Sequence, residues 1–282
     1  MRLAAVIILY NPPQSVWDNL KSYSGYVQKL FIINNSDKNI SLPESPLGTE
    51  FMIVNHQENL GVAAALNKGI CLAKEEDYEW ILTMDQDSRF PQGMFKTYLD
   101  FILDYPALSQ TGIFGPEILG YEEKGTEKSP KATEETLLIT SGNIINIKAW
   151  EKAGYFNELL FIDEVDHDFC LRVLLSGYKV IKVNGIYLQH SLGKNIYVSK
   201  KGHTRRITLH SPFRIYYIVR NGLFLANKYN KSFPGVVKER RRIILITLKN
   251  NLLYNSERWK VIYYSIRGMV DFFRKSFGKF KN

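Results

Sequence analysis

Two aspartates stand at the end of an apolar segment of this 282-residue chain. Residues 80–84 have the composition of a buried strand, and Asp85, Gln86 and Asp87 follow directly. An isolated Asp-x-Asp is usually a solvated turn, but the strand places both carboxylates at one edge of a sheet. Hard divalent cations bind oxygen ligands, and Mg²⁺ typically takes one or two carboxylates together with substrate phosphates. The spacing therefore predicts a site for Mg²⁺ or Mn²⁺ that neutralises charge on a departing diphosphate.

A second group of carboxylates lies near the start of a predicted helix. Asp163, Glu164, Asp166 and Asp168 are four acidic residues within six positions. The helix dipole stabilises one or two carboxylates in a first turn, but it does not account for four of them. A carboxylate near a cleft can act as the general base that takes a proton from an acceptor hydroxyl. We therefore expect this segment to take part in catalysis.

Polar residues also follow other predicted strands. Tyr10 and Asn11 follow the first apolar run, Asn34 and Asn35 follow the second, and His190 follows the last. In open α/β sheets, ligands bind beyond the carboxyl ends of the strands. We therefore expect the first two groups to converge with the aspartate pair on one cleft. For His190, a structural role and a ligand role both stay open.

The elements that must position these residues alternate between strand and helix. Apolar runs of strand length fall at 3–9, 29–33, 51–54 and 80–84, and helical spacing falls at 16–26 and 61–74. This alternation predicts an α/β fold with a mostly parallel sheet and helices on both faces. Further along, we predict an exposed loop at 121–136, a strand from 137 into 140–143, a helix near 148–153 and a strand at 180–188.

Composition excludes several classes of protein. Hydrophobic residues make up 45% of the chain, so it can bury a core and is not disordered. Its two cysteines, Cys71 and Cys170, lie in predicted helices and exclude a disulfide scaffold and a cysteine-based zinc site. The apolar run after Met1 is too short for a signal peptide, and no run could span a bilayer. We expect a soluble or membrane-peripheral protein in a reducing compartment.

Charge divides the chain into an acidic body and a basic tail. Residues 1–193 carry 16 Lys and Arg against 25 Asp and Glu, a net charge of −9. Residues 194–282 carry 21 Lys and Arg against 3 Asp and Glu, a net charge of +18. The tail therefore calls for an anionic partner, and nucleic acid, anionic lipid and a phosphorylated substrate all fit.

One segment of the tail has the pattern of an amphipathic helix. In residues 258–275, seven apolar residues fall within about 120° of one another on a helical wheel. They are Trp259, Ile262, Tyr263, Ile266, Met269, Val270 and Phe273. Basic residues border this stripe, which suits a helix in a membrane interface, although packing on the catalytic body is the alternative. Residues 236–253 form a second candidate helix of this kind.

The order of the motifs resembles inverting family 2 glycosyltransferases of the GT-A fold. The matching motifs are Asn59-x-Gly61, Asn67-x-Gly69, Asp85-Gln86-Asp87, Ser141-Gly142-Asn143, Asp166-x-Asp168-x-x-x-Arg172, Gly177-Tyr178 and His190. Within the family, the chain is most similar to bacterial rhamnosyltransferases of polysaccharide and O-antigen assembly. That narrower likeness rests on Phe161-Ile-Asp-x-Val-Asp and Arg214-x-Tyr216-Tyr217-x-x-Arg220-Asn221. The resemblance covers residues 3 to about 222.

The resemblance implies a role for each matched residue. The catalytic base falls on Asp166, with Asp163 in reserve. Donor-binding roles fall on Tyr10, Asn11, Asn35, Asn59, Gly61, Asn67, Asp85, Gln86 and Arg220. Acceptor-side roles fall on Ser141, Gly142 and Asp168. The divalent metal, Mg²⁺ or Mn²⁺, is assigned to Asp85, Asp87 and His190.

The resemblance also implies a reaction, a location and a division into domains. L-rhamnose would pass from dTDP-L-rhamnose to a hydroxyl of a saccharide or lipid-linked saccharide in cell-surface polysaccharide synthesis, with inversion. A UDP-sugar such as UDP-galactofuranose is the alternative donor. We expect a GT-A domain at 1–225, with a nucleotide-sugar half at 1–115 and an acceptor half at 116–225, and a basic helical extension at 226–282. The protein would lie in the cytoplasm, peripherally bound to an anionic membrane surface. Nucleic acid is not expected as a partner, and a homo-oligomer is compatible with the resemblance.

Functions of other classes fit the sequence less well. The basic tail and its tyrosines suit a nucleic-acid-binding protein, but the acidic body and the lack of a recognition motif oppose it. A nucleotidyltransferase would need a phosphate-cradling glycine-rich loop, and the sequence shows none. The protein could also be an inactive homologue that acts as a scaffold, and only a measured transferase activity would exclude this alternative.

Overall fold

The computed structural model describes residues 1–40, 48–120, 129–190, 194–200 and 203–281. Its strands are β1 (Leu3–Leu9), β2 (Lys29–Asn34), β3 (Glu50–Asn55), β4 (Trp80–Asp85), β5 (Ser88–Arg89), β6 (Thr111–Leu119), β7 (Lys131–Glu134), β8 (Asn143–Asn146), β9 (Lys179–His190), β10 (Lys194–Lys200) and β11 (His203–Leu209). Its helices are α1 (Val16–Lys21), α2 (Val62–Glu75), α3 (Met94–Leu103), α4 (Ile147–Lys152), α5 (Val165–Leu175), α6 (Pro212–Tyr229), α7 (Pro234–Tyr254) and α8 (Arg258–Phe273).

The described residues form a nine-stranded sheet in the order β3-β2-β1-β4-β8-β6-β9-β5, with β7 beside β9. Parallel pairs join β3 to β2, β2 to β1, β1 to β4, and β6 to β9. Because β8 is antiparallel to both β4 and β6, those two strands point the same way. Six of the nine strands therefore share one direction, and the predicted mostly parallel α/β sheet is confirmed. Strands β10 and β11 pair antiparallel in a separate two-stranded sheet.

Strand β1 lies at the centre of the parallel half, and all seven of its residues are buried. This burial explains why its sequence is a continuous apolar run rather than an alternating one. Ala5 and Ile7 belong to the core that contains residues of α1 and α3. On the other face, α2 approaches so closely that a Cβ at Gly69 would lie 2.2 Å from Cγ2 of Val6. Glycine at this position therefore sets the distance between helix and sheet.

Three local predictions differ from the structure. Part of the loop expected at 121–136 is strand β7, which pairs with β9 although all four of its residues are exposed. The loop's residues 121–128 lie outside the described residues. The strand expected from 137 begins only at Asn143, because the chain turns at Gly142 with a φ of +81°. The helix expected at 16–26 ends at Lys21 and is followed by a short 3₁₀ turn, Ser24–Tyr26.

The described residues divide into two compact units. Unit 1 comprises Met1–Phe161 and Val165–Ser191 and contains the central sheet; unit 2 comprises Ile162–Glu164 and Leu192–Asn282. The boundary expected at 225 therefore differs from the observed one, since α6 belongs with α7 and α8. The reason is an apolar contact in which Ile215 and Val219 of α6 form a core cluster with Val261 of α8.

Both predicted tail helices are present as α7 and α8. No helix in the described part of the chain combines the length and the apolar character that a membrane span requires. Cys71 and Cys170 lie in α2 and α5, as expected, and neither forms a disulfide.

Candidate active site

The carboxyl ends of three parallel strands meet at one edge of the sheet in unit 1. In the strand register, Leu9 of β1 lies opposite Asn34 of β2, and Ile8 lies opposite Asp85 of β4. The polar residues that follow these strands are therefore neighbours. The convergence predicted from the sequence is confirmed for the three strand ends.

Gln86 ties the ends of β1 and β4 together. Its side-chain oxygen accepts from the backbone N–H of Tyr10 at 2.8 Å, and its amide nitrogen donates to the Tyr10 carbonyl at 3.2 Å. The neighbouring Asn11 has a φ of +45°, and its N–H donates to Ser36 Oγ at 2.7 Å. Because the backbone of Tyr10 is held while its side chain is 48% exposed, the ring is available to stack on a ligand.

Asn35 organises the loop that precedes α2. Its Nδ2 donates to Asn59 Oδ1 and to the carbonyl of Gly61, both at 3.1 Å, and its Oδ1 accepts from the N–H of Leu60. Gly61 has a φ of +89°, and a Cβ there would lie 2.7 Å from the carbonyl oxygen of Phe161. Only glycine fits both constraints. These residues therefore give the loop a fixed shape and hold it against the chain that precedes α5.

The aspartate pair and His190 form one cluster. A ligand atom from each of Asp85, Asp87 and His190 lies within 4.8 Å of the others. The cluster forms because β5 pairs with β9 so that Ser88 stands opposite His190. Nδ1 of His190 is 3.2 Å from Asp87 Oδ1 and 2.7 Å from Ser88 Oγ. Two carboxylates are the donors that Mg²⁺ and Mn²⁺ prefer, and an imidazole can complete the set, so the residues fit a divalent cation.

Two buried serines contact residues of this cluster through hydrogen bonds. The backbone N–H of Asp85 donates to Ser141 Oγ at 3.0 Å, and Ser141 Oγ donates to Ser88 Oγ at 2.8 Å. Both serines are fully buried, and Ser88 contacts the imidazole of His190. Ser141, which the resemblance assigned to the acceptor side, thus lies in a hydrogen-bonded chain that positions the cluster. Ser88 was missed from the sequence, and its one signal is that it follows Asp87 directly.

The segment 138–142 connects α5 with the end of β4. Gly142 donates its N–H to the Thr83 carbonyl at 2.8 Å, and a Cβ at Gly142 would lie 2.7 Å from Pro116 Cγ. At the other end of the segment, the Leu138 carbonyl is 3.6 Å from Sγ of Cys170 on α5. Burial raises the pKa of Cys170 to about 12. The side chain therefore stays a thiol and is not a nucleophile.

Helix α5 carries two of the predicted site residues in its first turn. Asp166 keeps 21% of its side chain exposed, and its Oδ1 accepts from the N–H of His167 at 2.9 Å. Asp168, in contrast, is fully buried and accepts from Nε of Arg172 at 2.8 Å. Arg172 in turn donates to the Ala153 carbonyl. Asp168 therefore does not fit the acceptor-side role that the resemblance implied, because its carboxylate fixes α5 inside the protein.

Asn67 is also bonded within the protein. Its Nδ2 donates to the Phe156 carbonyl at 2.9 Å and to Glu158 Oε1 at 2.8 Å. Its Oδ1 accepts from Trp150 Nε1 at 3.2 Å and from the N–H of Phe156 at 2.9 Å. The expected contact with the nucleotide does not fit this geometry, because the whole amide group is engaged in joining α2 to the chain that follows α4.

We expect Asn67→Ala to lower the free energy of unfolding by about 1–3 kcal/mol, because it leaves buried N–H and C=O groups without their partner. Urea denaturation measures this change, and the exposed neighbour Lys68→Ala serves as the control on the same helix. Nucleotide affinity should stay within about twofold of that of the parent protein. A large loss of nucleotide affinity with unchanged stability would instead restore Asn67 to the donor site.

The two motifs of the narrower likeness contact each other in unit 2. Arg214 donates to the Asp163 carboxylate. Its Nε lies 3.1 Å from Oδ1 and 3.2 Å from Oδ2, and its Nη2 lies 2.9 Å from Oδ1. Nδ2 of Asn221 donates to the carbonyls of Ile162 at 2.7 Å and Asp163 at 3.0 Å. Asp163 and Glu164 both have a φ of +62°, a strained conformation that these bonds hold in place. The carboxylate of Asp163, the reserve base, is therefore committed to an ion pair.

Arg220 is fully buried in unit 2. Its guanidinium donates to Asn221 Oδ1 at 3.0 Å, to the Tyr216 hydroxyl at 3.1 Å and to the Gly278 carbonyl at 2.8 Å. The ring of Tyr217 lies 5.0 Å from the guanidinium carbon. The donor-binding role implied for Arg220 does not fit these surroundings, because the guanidinium is enclosed and anchors the C-terminal segment to α6.

The chain is similar to known proteins in both sequence and fold. Residues 5–160 match the sequence profile of glycosyl transferase family 2. This match spans more than half of the chain, so the chain belongs to that family and the protein is a glycosyltransferase.

One relative is similar over nearly its full length. It is the dTDP-rhamnosyl transferase RfbF of Shigella flexneri, 27% identical over 290 residues that span 94% of this chain and 96% of the relative. Among solved structures, GalNAc-T7 with UDP, GalNAc and Mn²⁺ matches with a TM-score of 0.55 at 12% identity. That match covers 91% of this chain but only 58% of the other, and it supports the predicted GT-A fold alone.

Proposed function

We propose that this glycosyltransferase transfers L-rhamnose from dTDP-L-rhamnose to a hydroxyl of a saccharide or lipid-linked saccharide, with inversion. The observation that carries the proposal is the likeness to a dTDP-rhamnosyl transferase, which spans 94% of this chain and 96% of the relative. A likeness confined to the nucleotide-binding part would support only the family. This one spans 94% of the chain, so it reaches well beyond the nucleotide-binding part.

The donor nucleotide would lie at the edge of the sheet described above. The half-exposed ring of Tyr10 can stack on the base, and Asn11 and the Asn35–Asn59–Gly61 loop border the same edge. The hydrogen bonds of Asn35 hold that loop in shape before any ligand arrives. A preorganised pocket loses less entropy when it binds, which favours affinity.

Asp85, Asp87 and His190 would hold the divalent cation. When bound, the cation would supply positive charge beside the diphosphate leaving group. The serine chain behind the cluster has a separate task, because Ser88 fixes the ring of His190 and Ser141 fixes the backbone of Asp85. Such outer contacts orient metal ligands in many proteins.

Asp166 is the proposed general base. It would take the proton of the acceptor hydroxyl while the hydroxyl oxygen forms a bond to the anomeric carbon of the donor. In the same step, the bond from that carbon to the phosphate oxygen breaks, and the nucleoside diphosphate leaves with the electron pair. A single displacement of this kind inverts the anomeric configuration. Asp163 is the weaker candidate, since Arg214 occupies its carboxylate.

Calorimetric titration of dTDP, UDP and GDP, each with and without Mg²⁺ or Mn²⁺, tests the donor. We expect dTDP to bind at least about tenfold more tightly than the other two nucleotides, a difference of about 1.4 kcal/mol, and only when the metal is present. Preference for UDP would overturn the rhamnose assignment while leaving the enzyme class intact. If no nucleotide bound at all, the nucleotide-sugar donor itself would be refuted.

The basic tail supports the proposed acceptor and location. A net charge of +18 over residues 194–282 suits work at the cytoplasmic face of an anionic membrane, where a lipid-linked saccharide would be presented. We propose that the reaction belongs to the synthesis of bacterial surface polysaccharide, as the motif resemblance implies.

A further inference from the structure

Helix α8 in unit 2 turns its apolar stripe outward. Six of the seven stripe residues predicted from the sequence are exposed: Trp259, Ile262, Tyr263, Ile266, Met269 and Phe273. The two at the ends are the most exposed, with Trp259 at 84% and Phe273 at 78%. The residues of α8 that are buried are instead Val261, Gly268 and Asp271. Apart from the half-buried Val270, the stripe therefore faces away from the contacts that hold the helix in its unit.

The orientation of α8 is fixed by specific contacts on its buried face. A Cβ at Gly268 would lie 2.7 Å from the Tyr216 carbonyl oxygen, so the two helix backbones approach closely at that point. Asp271 accepts from the Tyr216 hydroxyl at 2.9 Å and from Nε of Arg267 at 3.1 Å. Rotating α8 to bury its stripe would break these contacts. The outward direction of the apolar face is thus built into the helix packing.

The charge around the stripe is almost wholly positive. Residues 258–281 contain seven Lys and Arg and a single acidic residue, Asp271, which is buried. Arg258 precedes the stripe, and Arg274 and Lys275 follow it, all three exposed. The nearest exposed acid in the sequence is Glu257, which pairs with Lys260.

We propose that the exposed face of α8 is a docking surface that lies in the interface of a membrane with anionic lipids. Trp259 and Phe273 are separated by fourteen residues, or about 21 Å along a helix, and lie on one face, as required of a helix lying flat on a surface. Aromatic and aliphatic side chains on one face with basic residues beside them are what interfacial helices use. The inference deepens the proposed function, since it assigns the surface that would bring the enzyme to a lipid-linked acceptor.

A groove along α7 adds an independent observation of the same chemistry. The groove has a volume of about 440 Å³, and its walls include Lys238, Arg241, Arg242, Leu245 and Ile246. Leu245 is 67% exposed. Cations beside exposed aliphatic groups match a lipid headgroup phosphate and the first carbons of its acyl chains. Unit 2 therefore presents basic and apolar groups together on a second helix.

Two other occupants of the α8 surface are less well matched. In a symmetric contact between two copies, the basic residues around one stripe would face those around the other, and like charges placed together cost affinity. Nucleic acid would satisfy the charges and could stack on Trp259. It would leave Ile262, Ile266 and Met269 against polar phosphates, however.

The test uses the full chain and vesicles of phosphatidylcholine with about one third phosphatidylglycerol. Of the four tryptophans, Trp17, Trp80 and Trp150 are buried, so Trp259 dominates any change in fluorescence on binding. We expect a blue shift when vesicles are added and co-sedimentation that weakens with salt. The double variant Trp259→Ser/Phe273→Ser should reduce partitioning at least about tenfold.

The matched control is Leu103→Ser/Leu175→Ser, which removes two exposed apolar side chains from unit 1 and should leave partitioning unchanged. Equal partitioning of the α8 variant and the parent protein would overturn the proposal. So would a dimer that the α8 variant abolishes, or binding to an oligonucleotide that exceeds binding to vesicles. Binding of dTDP is measured by calorimetry on the same proteins. If the parent protein did not bind dTDP, the proposed function alone would be refuted. The vesicle measurements test the docking surface alone.

Discussion

Asp166→Asn is expected to lower the rate of sugar transfer by about a hundredfold to ten-thousandfold, the range that a general base contributes. Asparagine keeps the shape of the side chain and can still accept from the N–H of His167, but it cannot take the acceptor proton. Affinity for dTDP should stay within about twofold of the parent value, because the proposed base would act on the acceptor rather than on the nucleotide. The measurement is transfer of labelled rhamnose from dTDP-L-rhamnose to the lipid fraction of membranes from the source organism, alongside calorimetry.

The matched control is Asp163→Asn. Asparagine tolerates the positive φ of this position, so the turn should survive the change. Its side-chain oxygen can still accept from Arg214, and we expect less than about a tenfold loss of rate. The reverse pattern, with activity lost in Asp163→Asn and retained in Asp166→Asn, would move the base to Asp163.

The centre of the fold could be predicted because local sequence determines it. Strands β1 and β4 are apolar runs of strand length, and each is followed by polar residues that mark the carboxyl end. The parallel arrangement brings those ends together whatever the loops between them do. Strand β7 gave no such signal, because its residues Lys-Ala-Thr-Glu are exposed and owe their strand conformation to pairing with β9.

The placement of only some site residues was predicted correctly, because the position of a residue in a motif does not reveal its hydrogen-bond partner in the fold. Asn67 bonds to Phe156 across 89 residues of sequence, and Arg220 bonds to Gly278 across 58. Both residues match family motifs, and both prove to be buried. For Ser88 the error was the opposite one, because the sequence predicted no role for it. Its contact with His190 spans 102 residues, and no local pattern indicates such a contact.

The tail shows the same limit in another form. Hydrophobic periodicity revealed the stripe on α8, but periodicity alone does not say which face of a helix is buried. The face that packs on α6 centres on Gly268, where the two backbones nearly touch. A glycine opposite an apolar stripe can thus mark the face of a helix that packs closely against a neighbour, even though the stripe is the more apolar face.

Asp87→Ala is expected to weaken metal-dependent dTDP binding at least about a hundredfold, since it removes one of the three proposed ligand groups and one negative charge from the cluster. The side chain of Asp87 is 44% exposed, so the unfolding midpoint should not change. Calorimetry of dTDP in Mn²⁺ measures the effect. In the presence of a chelator, parent and variant should bind dTDP equally weakly, because the lost contribution belongs to the metal.

Two further variants separate metal binding from charge. Asp104→Ala removes an exposed carboxylate from unit 1 and should leave binding intact. Ser88→Ala keeps every ligand but releases the ring of His190, so we expect an intermediate loss of about tenfold, the usual size of an outer-contact effect. Unchanged metal-dependent binding in Asp87→Ala would refute the metal assignment, whereas a loss in Asp87→Ala without one in Ser88→Ala would show that the contact between Ser88 and His190 adds nothing to metal affinity.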